Sequence, residues 1–322
     1  MHQSRVRNAI SIASGMCILI ILMILAGIDT GRLISVLSRV HPLGFVTIVL
    51  LFSANSLMAA ERWRLVLSKM DNVVPPSFRQ ASALTAIGLA GGQVLPTPIA
   101  VAVARLADGR VGIHMKPRHN LVGTIIEQLF DFVIALLFGA VSLVVLYIGQ
   151  PSVWQHLVVI VLIAFAAVTE LTYRYYMPLF AVLAKKAFLP HKLRALSARM
   201  AANMPEQRLI RQLLLLSIFR FTVLCVAAAA TSWTMGLAVP ALHLAISMPL
   251  VILASVIALT PGALGFNELT FTGLLVILGT SFDAAAEWAL VNRILTLVAS
   301  LLIGAAGAIV LILEAYRRRH RI

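Results

Sequence analysis

Residues 245–279 read AISMPLVILASVIALTPGALGFNELTFTGLLVILG, an apolar stretch that is interrupted at its centre. The stretch exceeds the ~20 apolar residues that cross a bilayer as one helix, but Pro261, Gly262 and Gly265 break it. Proline lacks an amide hydrogen and glycine frees the backbone to turn, so a continuous helix is disfavoured. The sequence therefore predicts two short helices that form a re-entrant hairpin.

A second apolar segment with the same design lies earlier in the chain, at about residues 81–107. Glycines at 88, 91 and 92 and prolines at 96 and 98 interrupt it before it reaches spanning length. We expect a second hairpin with Pro96 at its break. Irregular backbone at membrane depth needs a protein or aqueous neighbour. We therefore expect the two breaks to face each other near the bilayer midplane, with Arg105 and Glu268 flanking a shared polar cavity.

Composition assigns the chain to the membrane proteins. Apolar residues make up 61% of the 322 residues and charged residues 12%, about half the ~25% of soluble domains. Mean hydropathy is +0.98. These values exclude a soluble enzyme, a disordered chain and a disulfide-rich secreted scaffold. The net charge of +14 is typical of basic cytoplasmic loops, so membrane lipid and not nucleic acid is the expected partner.

Full membrane spans are expected at about residues 9–28, 42–60, 121–148, 153–168, 213–235 and 288–313. The loop at 171–212 carries eight basic residues and one acidic residue, which predicts that it is cytoplasmic, together with both basic termini. We predict one all-α domain over residues 1–322, a polytopic helical bundle of the cell (inner) membrane. Its two hairpins would open to opposite sides, the pattern of an inverted repeat.

Ionisable residues within apolar segments are the candidate functional residues, because a charge at the bilayer centre costs ~2.5 kcal/mol or more. Glu127 and Asp131 share a helix face. Either they line a pocket that binds a head group or moves a proton, or they form a structural ion pair with Arg105 or Arg293. Glu268 either caps the helix after the break or belongs to the site. The predicted lipid-binding residues are Arg62, Arg105, Glu127, Asp131, Asn267, Glu268 and Arg293.

Two arginines lie where predicted spans end or begin. Arg62 belongs to the sequence Glu61–Arg64, which reads as an interface anchor or as a lipid head-group clamp. Arg220 lies within its span but near enough to the cytoplasmic end for the side chain to snorkel, and a functional role is the less favoured alternative. The sequence has no Walker loop, no His-Glu-x-x-His motif and no Cys-x-x-Cys motif. We therefore predict no catalytic residue, no metal site and no cofactor.

Four motifs in order resemble the flippase-like transmembrane region of lysylphosphatidylglycerol synthases. They are Glu-Arg-Trp at 61–63, Leu-Pro at 95–96 with Arg105 downstream, Glu-x-x-x-Asp at 127–131, and Pro-Gly-Ala-Leu-Gly-Phe-Asn-Glu at 261–268. The resemblance covers nearly the whole chain and implies translocation or handling of a membrane lipid. Gln128 and Asn267 replace arginines of the family pattern, which argues against a strongly anionic translocated head group.

The resemblance also implies a member without the soluble aminoacyl-transferase domain, because the loop at 171–212 is too short to form one. The favoured function is movement of a polar-headed lipid between leaflets, downhill or ion-coupled, with Glu127 and Asp131 as proton-coupling candidates. The alternative is a non-catalytic partner of a lipid-modifying or glycosyl-transferring enzyme, docked through small residues such as those at 304–308. A membrane-embedded enzyme acting on a lipid-linked phosphate is the least favoured reading, because no metal motif is present.

Overall fold

The computed structural model describes residues 30–70, 73–106, 117–148, 174, 182, 207–237, 239–257 and 260–319. Within these residues every regular element is helical, which confirms the predicted all-α class. A 3-10 turn at Pro261–Ala263 lies between the seventh and eighth helices. In chain order the α-helices are α1 (Thr30–Ser38), α2 (Pro42–Ser68), α3 (Phe78–Gly91), α4 (Thr97–Leu106), α5 (Pro117–Ile148), α6 (Gln207–Met235), α7 (Ala241–Ile257), α8 (Phe266–Ile277) and α9 (Phe282–Arg319).

Four of the described helices are long and apolar enough to cross a membrane. They confirm four of the six predicted full spans, those at about residues 42–60, 121–148, 213–235 and 288–313. The predicted spans at 9–28 and 153–168, and nearly all of the loop at 171–212, lie outside the described residues. The observed spans are Pro42–Ser68, His119–Tyr147, Arg208–Met235 and Phe282–Arg317.

The first broken segment folds as a helical hairpin of α3 and α4. A capping box starts α3, because the Ser77 side chain accepts a hydrogen bond from the Gln80 amide and the Gln80 side chain accepts one from the Ser77 amide. The chain turns after Gly92 and α4 returns along α3. A Cβ atom on Gly88 would lie 2.7 Å from the Cα atom of Val101, so the close packing of the two legs requires glycine there.

The second broken segment is also a hairpin, formed by α7 and α8. Gly262 and Gly265 at its break have φ angles of 60° and 78°, in the left-handed region that favours glycine. At the open end, the His243 Nδ1 and Thr280 Oγ1 atoms lie 3.3 Å apart. The described legs of both hairpins are shorter than the four spans above. Both segments therefore break and turn back, as the prolines and glycines predicted.

Helix α9 contacts both hairpins along its length. Its C-terminal half packs antiparallel to α3, because Cβ atoms on Gly307 and Gly304 would meet Ala83 and Ala90 respectively. Gln93, just beyond α3, donates a hydrogen bond to Ser300 at 3.2 Å. The first hairpin therefore approaches from the C-terminal end of α9, and its tip lies near the middle of that helix.

The second hairpin approaches from the opposite end of α9. The Phe271 ring packs edge-on against Trp288 with centroids 5.0 Å apart, and Glu268, closer to the break, lies beside Arg293. Arg293 also donates a hydrogen bond to the backbone oxygen of Gln93 at 3.4 Å. The two breaks thus meet beside the middle of α9, and the hairpins have the opposite polarity predicted for them.

Candidate functional site

Five charged side chains from four helices form a buried group, which we call the arginine–carboxylate cluster. Arg105 on α4 donates from Nη1 to Glu127 Oε2 on α5 at 2.6 Å. Arg62 on α2 donates to the Asp131 carboxylate and to the Glu127 backbone oxygen, the latter at 2.6 Å. Arg220 on α6 donates from Nη1 to Asp131 Oδ2 at 2.6 Å. The cluster therefore joins α2, α4, α5 and α6.

The cluster has a closed end and an open end. The side chains of Arg62 and Arg105 are fully buried and that of Glu127 is 2% exposed, whereas those of Asp131 and Arg220 are 29% and 12% exposed. Three arginines face two carboxylates, so the group carries a formal charge of +1. Both carboxylates are paired with arginines, which is one of the two arrangements expected for them.

Neutral side chains hold the arginines in place. The Arg105 guanidinium donates to the hydroxyls of Thr85 and Thr124 at 3.2 and 3.3 Å and lies 4.5 Å from the centre of the Trp63 ring. Arg220 donates from Nε to Asn55 Oδ1 at 3.0 Å. A planar guanidinium can make all of these contacts at once, which an ammonium cannot.

Several buried donors around this cluster have no hydrogen-bond partner among the described residues. They are the Nε atoms of Arg62 and Arg105, the indole nitrogen of Trp63 and Nδ2 of Asn120. An unpaired buried donor costs about 1–3 kcal/mol. A ligand that brings acceptor oxygens, such as a phosphate or an ester, would recover this energy.

A second polar group lies where the two hairpins meet, and we call it the tip cluster: Gln93, Glu268, Arg293 and Ser300. Arg293 Nε lies 3.4 Å from Glu268 Oε1, and the guanidinium bonds to the Gln93 backbone. Gln93 in turn donates to Ser300. Glu268 is 3% exposed, so this carboxylate lies inside the protein beside one arginine.

The unpaired buried groups at the tip are mostly hydrogen-bond acceptors, whereas those of the arginine–carboxylate cluster are donors. Within the described part of the chain, the buried oxygens that lack a partner there are Gln93 Oε1, Thr260 Oγ1, Asn267 Oδ1 and Glu268 Oε2. Three of these atoms can only accept hydrogen bonds. They match a ligand that brings hydroxyl or ammonium hydrogens.

The family model described as Lysylphosphatidylglycerol synthase TM region matches residues 8–304. The chain belongs to this family. The match confirms the resemblance found in the four motifs, and it includes every residue of both polar clusters. Together with the four membrane-spanning helices, membership in the lysylphosphatidylglycerol synthase TM family makes the chain an integral membrane protein related to lipid handling. Comparison with curated proteins finds no matching relative.

In this family member, the predicted site residues fall into two groups. Arg62, Arg105, Glu127 and Asp131 meet in the arginine–carboxylate cluster. Asn267 and Glu268 lie at the tip of the second hairpin, and Arg293 on α9 lies beside Glu268. The idea that Arg293 pairs with Glu127 or Asp131 is wrong, because Arg293 lies beside Glu268, whereas the pairing of Glu127 with Arg105 is confirmed.

The structure also corrects the interpretation of the Glu-Arg-Trp motif as an interface anchor. Helix α2 continues to Ser68, and both Arg62 and Trp63 are fully buried. Anchors lie at the surface, whereas these side chains pack between helices.

A cavity shared by Arg105 and Glu268 stays a prediction. Arg105 lies nine residues after Pro96, which is about 14 Å from the break of the first hairpin if measured along a helix.

The polar residues of the site that were not among the predicted lipid-binding residues include Arg220, Asn55, Gln93 and Ser300. Snorkelling is the favoured interpretation of Arg220 in the sequence, yet its side chain pairs with Asp131 and is only 12% exposed. Asn55 binds Arg220, and Gln93 binds Ser300 at the tip. The signal was available for Arg220 and Asn55, because each is a polar residue within an apolar span. Gln93 stands out only once its contacts to Arg293 and Ser300 are known.

Proposed function

We propose that this chain moves a polar-headed lipid between the leaflets of the cell membrane. One observation carries the proposal. Two hairpins approach from opposite ends of α9 and touch at their tips, where several buried polar oxygens have no partner among the described residues. A head group that crosses hydrocarbon needs such partners, because lipid tails offer none. The acyl chains would stay in the surrounding lipid while the head group passes along the polar interior.

The two clusters are suited to different parts of one head group. The arginine–carboxylate cluster has an excess positive charge, and the Arg220 side chain at its open end is 12% exposed, which suits phosphate oxygens. The tip has free acceptors, which suit hydroxyls or an ammonium group. Thr85, which contacts Arg105, and Gln93 at the tip are eight residues apart, about 12 Å along a helix. A zwitterionic head group would therefore meet both kinds of partner in turn.

The proposal involves no chemical step on the lipid. Movement would be downhill or coupled to an ion, and the bonds of the lipid would stay intact. Asp131 is the more accessible carboxylate of the arginine–carboxylate cluster, so it is the first candidate for proton coupling. We further propose that both termini lie in the cytoplasm, in line with the basic residues near them.

A leaflet-specific assay tests the proposal. The purified chain is reconstituted in liposomes with phosphatidylethanolamine that carries a fluorophore on an acyl chain, and dithionite then bleaches the outer leaflet. We expect bleaching beyond the outer-leaflet fraction with wild type. We expect a loss of at least tenfold in rate with Glu268→Gln, because the tip loses its carboxylate. Asp283→Asn is the matched control, because Asp283 is exposed at the start of α9.

Two outcomes would overturn the proposal. One is wild-type liposomes that bleach no further than empty ones, with several head groups tried. The other is equal rates for wild type and Glu268→Gln. Activity that depends on a co-purified enzyme would favour the partner role instead. Part of the docking surface expected for that role is already occupied, because Gly304 and Gly307 pack against α3 of the same chain.

A further inference from the structure

A cavity of about 460 Å³ lies between α2, α3 and α9, within the ~300–1,000 Å³ range of ligand pockets. No residue of the arginine–carboxylate cluster or of the tip cluster lines it. We call it the lateral groove. The residues that matter for its chemistry are Ser56 on α2, Arg79 and Ser82 on α3, and Ala306, Glu314 and Arg317 on α9.

One end of the lateral groove is charged and lies at the end of a membrane span. Arg79 lies in the first turn of α3, and Arg317 is the last residue of the span formed by α9. Phe78, which also lines the groove at this end, has its ring centre 5.7 Å from the Arg64 guanidinium. Two arginines face one carboxylate, Glu314, so the three charged lining residues sum to +1.

Deeper in the groove the lining becomes small and apolar. Ala86 lines the groove seven residues after Arg79, about 10 Å further along α3. Ser82 lies between these levels on α3, and Ser56 lines the groove from α2 and is only 2% exposed. Neither buried hydroxyl has a hydrogen-bond partner among the residues that the structure describes. A hydroxyl can donate to an acceptor such as an ester carbonyl, so a ligand with a polar group at this level fits the groove.

From the mouth to the interior, the groove presents positive charge, then serine hydroxyls, then an apolar wall. A glycerophospholipid has its groups in the same order: phosphate, ester carbonyls and acyl chain. We propose that the lateral groove binds one anionic phospholipid, with its phosphate at Arg79 and Arg317 and an acyl chain along the wall toward Ala86. This lipid is a resident ligand, separate from any lipid that passes between the hairpins.

The first experiment tests whether lipid occupies the groove, by filling the groove with a larger side chain. The full chain in detergent is mixed with equal amounts of dioleoyl phosphatidylglycerol and dioleoyl phosphatidylcholine, and retained lipid is measured by native mass spectrometry. Wild type should retain phosphatidylglycerol, the anionic lipid, in preference to phosphatidylcholine. Ala306→Trp should lose most of it, because Ala306 lines the groove. The control is Ala305→Trp: Ala305 is also exposed on α9 but does not line the groove.

The charge at the mouth of the groove, where Arg79 and Arg317 lie, is tested separately. Both side chains are exposed, so replacing them should leave the packing intact. Replacing both Arg79 and Arg317 by glutamine should lower the preference for the anionic lipid by about fivefold per arginine. Arg39→Gln removes an exposed arginine outside the groove and should change nothing. The proposal is overturned if wild type shows no preference for the anionic lipid. It is also overturned if the double arginine variant keeps the preference of wild type. Neither readout measures translocation, so the result is independent of the proposed function.

Discussion

Replacing Glu127 by glutamine should be among the most destabilising single changes in the chain. The carboxylate is 2% exposed and binds the fully buried Arg105 at 2.6 Å. Its loss raises the formal charge of the arginine–carboxylate cluster from +1 to +2 and leaves Arg105 with only neutral partners. Removing one partner of a buried ion pair costs roughly 3–5 kcal/mol. The loss should appear as lower stability and lower abundance in the membrane.

The structure provides two carboxylates with which this magnitude can be compared. Asp131 pairs with two arginines but its side chain is 29% exposed, so Asp131→Asn should cost less, roughly 1–3 kcal/mol. Glu61 pairs with Arg64 one turn away on α2, and its side chain is 38% exposed. Glu61→Gln should cost less than ~0.5 kcal/mol. The expected order of destabilisation therefore follows burial.

The measurement is unfolding of each purified variant in mixed micelles as the fraction of sodium dodecyl sulfate increases. The midpoints give the three free-energy differences relative to wild type. A Glu127→Gln variant that unfolds with wild type would refute the reasoning, since the carboxylate could then not be balancing a buried charge. So would an Asp131→Asn variant less stable than Glu127→Gln, because burial would then not set the order.

Three further predictions concern the break of the second hairpin, the planar guanidinium of Arg105 and the membrane topology. Gly262→Ala puts a side chain on a residue in the left-handed region and against the Gln93 backbone, so it should lower the free energy of unfolding by about 1–3 kcal/mol. Gly273→Ala is the control, because Gly273 has open space around it, and it should be as stable as wild type or more so. Equal melting temperatures for the two variants would contradict this account. Arg105→Lys keeps the charge but loses the planar contacts, and should cost about 1–3 kcal/mol; an unchanged unfolding midpoint would show that charge alone matters. A cysteine at Lys192 should react with a membrane-impermeant maleimide only in inside-out vesicles, and labelling of intact cells would contradict a cytoplasmic loop.

The amino-acid sequence by itself determined the class of the protein and the places where its helices break. Apolar length decides which segments can cross a membrane, and it located the four described spans. Pro96 and Pro261 remove backbone donors and the nearby glycines allow tight turns, so both hairpins followed from local chemistry. The spacing of Glu127 and Asp131 placed them on one face, because a helix has a fixed period.

The tertiary structure alone decided which charges meet. Arg62 was expected near an interface but lies buried between helices, since α2 continues past it. Arg220 joins Asp131 and Arg293 joins Glu268 because α6 and α9 pack where they do. Ion pairs between residues tens to hundreds of positions apart depend on helix packing. Packing depends on the shapes of many side chains at once, which no local pattern of residues encodes.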